Sequence, residues 1–85
     1  MQLHLLFFAH VREQLGRPQE TISVSDSAHT IHDIRQLLIA RGGIWAEALS
    51  EQNIIHTACN HVLCDAQTVV NDQCKIAFFP PVTGG

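Results

Sequence analysis

Basic residues are scarce in this sequence. Arg12, Arg17, Arg35, Arg41 and Lys75 are the full set against eight Asp and Glu, for a formal charge of −3. None of them falls in a run, so the cationic stripe that nucleic acid or an anionic bilayer surface demands is missing. The mild acidity favours a basic partner surface instead. Long apolar runs are missing too, and nothing approaches the ~20 residues that span a bilayer. The run from Leu3 to Ala9 lacks a basic lead-in and is broken by His4, unlike the core of a signal peptide. A cytoplasmic address with no membrane partner is the expectation. No Gly-rich phosphate loop is present, which argues against nucleotide chemistry by the chain itself. Cys59, Cys64 and Cys74 are separated by four and nine residues, gaps that match no zinc or iron–sulfur pattern. Their odd number, without a secretion signal, reads as reduced thiols packed in the fold.

What is present is enough apolar residue for one small domain. Of 85 residues, 46% are hydrophobic and 15% charged, a globular balance and not a disordered one. A domain of this size has little interior to spare for a deep pocket, so chemistry belongs at an end or an edge. Leu3, Leu5 and Phe7 alternate with Gln2, His4, Leu6 and Phe8, predicting a strand over 1–9 with the odd positions inward. One helical turn over 11–15 is closed by Gly16 and Pro18, and 20–24 reads as a second strand. Thr30 and Asp33 form a capping box for a helix over 31–41, whose stripe is Ile31, Ile34, Leu37 and Leu38 and whose end is Gly42-Gly43. A short helical piece is expected at 45–49. Strands follow over 54–59 and 62–64 around an Asn60-His61 turn. After a turn at Asn71-Asp72 comes a last strand over 74–79 with Cys74, Ile76 and Phe78 inward. One main helix on a mixed sheet of about five strands is an α+β layout. The order matches the β-grasp, or ubiquitin-like, fold, with first and last strands parallel and adjacent. The expected division is a domain over 1–79 and a flexible tail over 80–85.

That tail reads Pro80-Pro81-Val82-Thr83-Gly84-Gly85. Extended at ~3.3–3.6 Å per residue it reaches roughly 20 Å past the sheet. The prolines keep it out of the ladder, and the final glycines, lacking Cβ atoms, suit a narrow channel in another protein. The Gly85 carboxylate is ionised at neutral pH and is a poor electrophile. It needs conversion to a mixed anhydride such as an acyl-adenylate, after which sulfur replaces one oxygen to give a thiocarboxylate. The chain would then be a carried reagent and not a catalyst. A bare Gly-Gly ending is a weak motif, with about 0.5% chance occurrence at average glycine usage. Its force comes from the proline-stiffened exit and the fold order.

The octet Phe78-Phe79-Pro80-Pro81-Val82-Thr83-Gly84-Gly85 resembles the carboxyl-terminal pattern of the molybdopterin synthase small-subunit family, and Leu6-Phe7-Phe8-Ala9 with Val11-Arg12-Glu13 is similar to that family's first strand and turn. The resemblance implies a sulfur carrier in molybdenum cofactor biosynthesis, not an enzyme on its own. Gly85 would be adenylated by an E1-like enzyme using ATP and sulfurated from a donor such as a cysteine desulfurase. The tail, Pro80 to Gly85, would insert into a large catalytic subunit within a heterotetramer. Sulfur would pass to cyclic pyranopterin monophosphate to build the dithiolene. No stably bound cofactor or metal is implied. The family often has Asp-Gly-Asp before the last strand where this chain has Asp72-Gln73-Cys74, a departure that bears on that turn. His10 and His61 stand where members vary and receive no role.

Strand alternation turns Leu6, Phe8, Lys75, Ala77 and Phe79 away from the helix. Phe8 and Phe79 are therefore expected to form an exposed aromatic pair at the base of the tail, the kind of patch that marks an interface. The resemblance adds Leu63 and Arg12 to the partner surface. His29 and His32, without a third ligand, read as solvated residues near the helix start. Asp26, Asp33 and Glu47 show no acid–base pairing, and Trp45 reads as core. Three alternatives share the fold: a sulfur carrier of the thiamine thiazole pathway, a ubiquitin-like modifier of lysines, and a β-grasp binding module without terminal chemistry.

Overall fold

The computed structural model describes residues 1–27 and 29–81. Its strands are β1 (Gln2–Phe7), β2 (Gln19–Ser23), β3 (His29–Thr30), β4 (His56–Cys59), β5 (Val62–Cys64), β6 (Val69–Val70) and β7 (Lys75–Phe79), with helices α1 (Ala9–Leu15), α2 (Ile31–Ile39) and α3 (Ile44–Ala48). β2, β1, β7, β4 and β5 form, in that order, one mixed sheet of five strands. β1 and β7 are parallel at its centre, with Leu5 opposite Ile76 and Phe7 opposite Phe78. The β-grasp arrangement expected from element order is the one found. The added feature is a two-stranded ribbon, β3 with β6, whose strands are too short to leave a periodic signal.

The inward positions of the two central strands are sealed. Leu3, Leu5, Phe7, Cys74, Ile76 and Phe78 are all at most 2% exposed. Phe7 stacks on Phe78 at 5.9 Å and meets the Trp45 ring edge-on at 5.8 Å, which joins sheet to α3. From α2, Ile31, Ile34 and Leu38 enter the core, whereas Leu37 is 47% exposed. The expected stripe was one residue too wide. At about 100° per residue Leu37 lies roughly 100° around the helix from Leu38, at the rim of the buried face. The capping box forms in both directions. Thr30 N–H donates to the Asp33 carboxylate at 2.9 Å, and Asp33 N–H donates to Thr30 Oγ1 at 3.2 Å.

Two polar side chains do structural work that periodicity did not reveal. Arg35 donates to the carbonyls of Leu49, Ser50 and Asn53 at 2.8, 2.6 and 3.0 Å, satisfying the backbone that follows α3. Glu20 accepts from Arg17 and Arg41, each at 2.5 Å. Both guanidiniums lie over Trp45, at 5.4 and 4.4 Å from its centroid. The Arg41 hydrogen bond, with Arg17 adding to it, holds the Glu20 carboxyl below its ordinary value against a smaller opposing effect of burial. Asp33 is likewise held low, by the Thr30 backbone and hydroxyl.

A folded-state pKa below the unfolded one contributes stability above the unfolded value, and that contribution fades as pH falls through the folded one. The urea midpoint should therefore stay level from neutral pH down to about 5 and fall below about 4.5, the usual range of these carboxyls. In Glu20→Gln the midpoint should be lower at pH 7, and its gap from wild type should narrow on acidification. Denaturant titrations at pH 7 and pH 3.5 check this; a gap independent of pH would remove the Arg41–Glu20–Arg17 cluster from the account.

The turn before β7 answers the question raised by the missing glycine. Gln73 adopts the left-handed conformation itself, at φ +65°, which costs an L-residue roughly 1–2 kcal/mol. Compensating contacts surround it. Gln73 N–H donates to the Gln2 carbonyl at 2.6 Å, and Gln2 N–H donates to the Asp72 carboxylate at 2.7 Å. His4 Nε2 is 2.8 Å from Gln73 Oε1, and its Nδ1 is 3.2 Å from Thr21 Oγ1. The turn at Asn60-His61 also has both residues at positive φ, +50° and +71°, the pattern of a tight two-residue hairpin.

Candidate functional site

Strand β7 carries the chain out of the sheet between β1 and β4, which is why the segment after Phe79 leaves from the middle of the domain and not from an edge. Pro80 is half-buried and Pro81 is exposed. Val82, Thr83, Gly84 and Gly85, including the residue expected to carry the chemistry, lie outside the described residues. What the fold defines is the platform from which they depart.

That platform is the sheet face opposite α2. Strand register lines up Leu6 with Ala77, Ala77 with Ala58, and Ala58 with Leu63, a single row crossing β1, β7, β4 and β5. The small alanines sit mid-row between the two leucines. Leu63 is 73% exposed, and Val62 beside it on the edge strand is 67% exposed. Towards the tail, Phe8 is 46% exposed, with its N–H donating to the Phe78 carbonyl at 3.1 Å. The row is thus an apolar strip running towards the proline exit, flanked on the same face by His4, Lys75 and His56.

Phe79 departs from the expected aromatic pair. Its ring partner is His56, opposite it in the β4–β7 register, with centroids 6.0 Å apart. The reason is topological: an antiparallel neighbour places its side chain directly across from Phe79, whereas Phe8 already lies beyond the end of β1 as the residue preceding α1. Ala58 and His56 therefore belong to this face, although the sequence reading had not singled them out. Register would have found them had β4 been paired with β7 in advance. Arg12 is one turn along α1 from Phe8, its N–H donating to the Phe8 carbonyl at 3.3 Å, and lines a surface groove with Glu13, Gly16, Arg17 and Pro18.

Other candidates have ordinary occupations. His29 Nε2 is 3.1 Å from Ser25 Oγ, and His32 lies 3.8 Å from the Glu51 carboxylate. Among the described residues no group of three or more His, Cys, Asp or Glu is placed to hold a metal, and no helix is long and apolar enough to cross a membrane. The cysteines need a correction: they are not three separate packed thiols. Cys59 and Cys74 meet sulfur to sulfur with their Cα atoms 6.5 Å apart, while Cys64 is unpaired. The pair joins two strands that are distant in sequence, so spacing alone gave no sign of it.

Comparison with known proteins places these features in context. The model of the ThiS family matches residues 5–85. The molybdopterin synthase sulfur carrier subunit of Haemophilus influenzae is 39% identical over 83 residues, covering 98% of this chain and 99% of that protein. The subunit of the same name from Escherichia coli is 36% identical with the same coverage. Among solved structures, the complex of subunits 1 and 2 of the molybdopterin-converting factor from Helicobacter pylori contains a chain with TM-score 0.67 at 24% identity, both chains covered in full. The small archaeal modifier protein 1 of Haloferax volcanii superposes with TM-score 0.76 at 19% identity, over 95% of this chain and 98% of that one. These last two likenesses are of fold.

Proposed function

Because this chain belongs to the ThiS family, as a relative of the molybdopterin synthase sulfur carrier subunits, we propose that it serves as such a subunit and delivers sulfur from a thiocarboxylate at Gly85. The observation that carries this reading is the likeness to those curated subunits over 98% of this chain, with the family model running to residue 85.

The proposed sequence of steps follows from what a carboxylate lacks. A Gly85 oxygen attacks the α-phosphorus of ATP on an E1-like enzyme, pyrophosphate leaves, and the carbonyl becomes electrophilic as an acyl-adenylate. The outer sulfur of a donor's persulfide, such as that on a cysteine desulfurase, attacks that carbonyl and AMP leaves; a thiol then reduces the acyl disulfide, bonding to the donor sulfur and releasing the thiocarboxylate. The resulting thiocarboxylate passes its sulfur to cyclic pyranopterin monophosphate within a large catalytic subunit. This chain supplies position: β7 fixes where the tail starts, Pro80 and Pro81 keep it out of the ladder, and the terminal glycines let it enter a narrow channel. The row Leu6, Ala77, Ala58 and Leu63, with Phe8 and Phe79 at its tail end, is the proposed docking face. Its support is the apolar character of the strip, together with the fold likeness to a chain found in a two-subunit complex.

The direct test is the intact mass of the chain after incubation with ATP, an E1-like activating enzyme and a sulfur donor. The expected result is exchange of one oxygen for sulfur, mapped to Gly85. An unchanged mass with an activating enzyme competent on another carrier would overturn the proposal, and isopeptide-linked adducts on lysines would favour the modifier alternative.

A further inference from the structure

The sulfur-carrier reading leaves the cysteines unused, yet the fold has assembled two of them from separate strands. Cys59 closes β4 and Cys74 immediately precedes β7. Their Cα separation of 6.5 Å lies within the ~4.4–6.8 Å that a disulfide spans. Hydrogen bonds that do not involve sulfur fix both backbones. Asn60 N–H donates to the Lys75 carbonyl at 2.9 Å, and Lys75 N–H donates back to Asn60 Oδ1 at 3.0 Å, one residue beyond each cysteine. On the other side, His4 N–H donates to the Cys74 carbonyl at 2.9 Å, and Cys74 N–H donates to the Asn71 carbonyl at 3.1 Å. The two backbones thus stand at a disulfide's span and are held there without help from sulfur. Their surroundings differ: Cys74 is 2% exposed, whereas Cys59 is half-buried and lines a surface pocket with Val62 and Leu63.

We propose that Cys59 and Cys74 form a reversible intrachain disulfide, a redox modification site that staples the tail-bearing central strand to β4. The oxidant is a small-molecule disulfide of the glutathione class. The Cys59 thiolate attacks one of its sulfurs, releasing one thiol and forming a mixed disulfide. The Cys74 thiolate then displaces the second small thiol, closing the Cys59–Cys74 bond. The two protein thiols give up two protons and two electrons, and the small disulfide is reduced to two thiols. Cys64 takes no part, since its sulfur packs 3.4 Å from Thr57 Oγ1 on the β4–β5 hairpin. Closing a loop with sequence separation 15 restricts the unfolded chain more than the native one, so the oxidised form is the more stable.

The test equilibrates the full chain with oxidised or reduced glutathione, denatures it, labels free thiols with iodoacetamide and reads mass and peptides. After oxidation a single label is expected, on Cys64, with a peptide linking Cys59 to Cys74. After reduction all three cysteines should be labelled. The oxidised form should melt roughly 10–20 °C higher, from the loop-closure entropy and the usual melting sensitivity of a domain this small. Cys64→Ser should keep both the link and the shift, and Cys59→Ser should lose both. Three labels after oxidation, a lasting glutathione adduct on Cys59, a link through Cys64, or equal melting of the two forms would each overturn the proposal.

Discussion

Removing Gly84 and Gly85 is expected to reduce sulfur transfer to background while leaving the unfolding free energy within about 0.5 kcal/mol of wild type, the usual range for changes that touch no packed feature. The new terminal carboxylate would belong to Thr83. It would stop roughly 7 Å short, at ~3.3–3.6 Å per residue, of the place where adenylation and transfer are proposed to occur. Misplacing a reacting group by even about 1 Å can cost on the order of 100-fold in rate, so a shortfall of this size removes the reaction and does not merely slow it. Thr83 also brings a branched Cβ into a passage proposed to admit glycine. Among the described residues, the deepest core members on β7 are Ile76 and Phe78, both 0% exposed. Single-turnover sulfur transfer beside a urea melt of the truncated chain makes the comparison. Retained transfer would sink the carrier reading even if the fold were intact.

The second large effect belongs to the proposed docking face. Phe8→Asp and Phe79→Asp should each weaken association with the large catalytic subunit by about 30-fold or more, the loss of a central aromatic anchor of 2 kcal/mol or above. A carboxylate buried at the interface would also be left unpaired. Phe8 is the cleaner probe, being 46% exposed. Phe79 additionally gives up its contact with His56. Leu37→Asp is the matched control: Leu37 is 47% exposed, yet it lies on α2, on the other side of the sheet, and its replacement should leave affinity unchanged. Isothermal titration of the three variants against the large subunit decides the matter. If Leu37→Asp weakens binding and Phe8→Asp does not, the partner sits on the helical side.

Much of this architecture was legible from the residues. Leu3, Leu5 and Phe7 announce a half-buried strand by period two, and Cys74, Ile76 and Phe78 announce its parallel neighbour in the same way. Thr30 and Asp33 announce where α2 begins. These are local signals, each complete within a few consecutive residues, and they survive folding because burial and capping act on the same local geometry that wrote them. The family, too, was legible in the order of elements and the closing octet.

What the sequence by itself determined, then, is the set of elements, the inward faces of the central strands and the identity of the tail. The tertiary structure alone decided who meets whom. That His56 lies against Phe79, that Ala58 lies opposite Ala77, and that Cys59 finds Cys74 are all consequences of β4 pairing antiparallel to β7. The positive φ of Gln73, held by His4 from another strand, is of the same kind. The physical reason is that strand pairing is a non-local contact. Its register is fixed by burial on one sheet face and by backbone hydrogen bonds between segments, neither of which leaves a periodic mark on the residues of the other face.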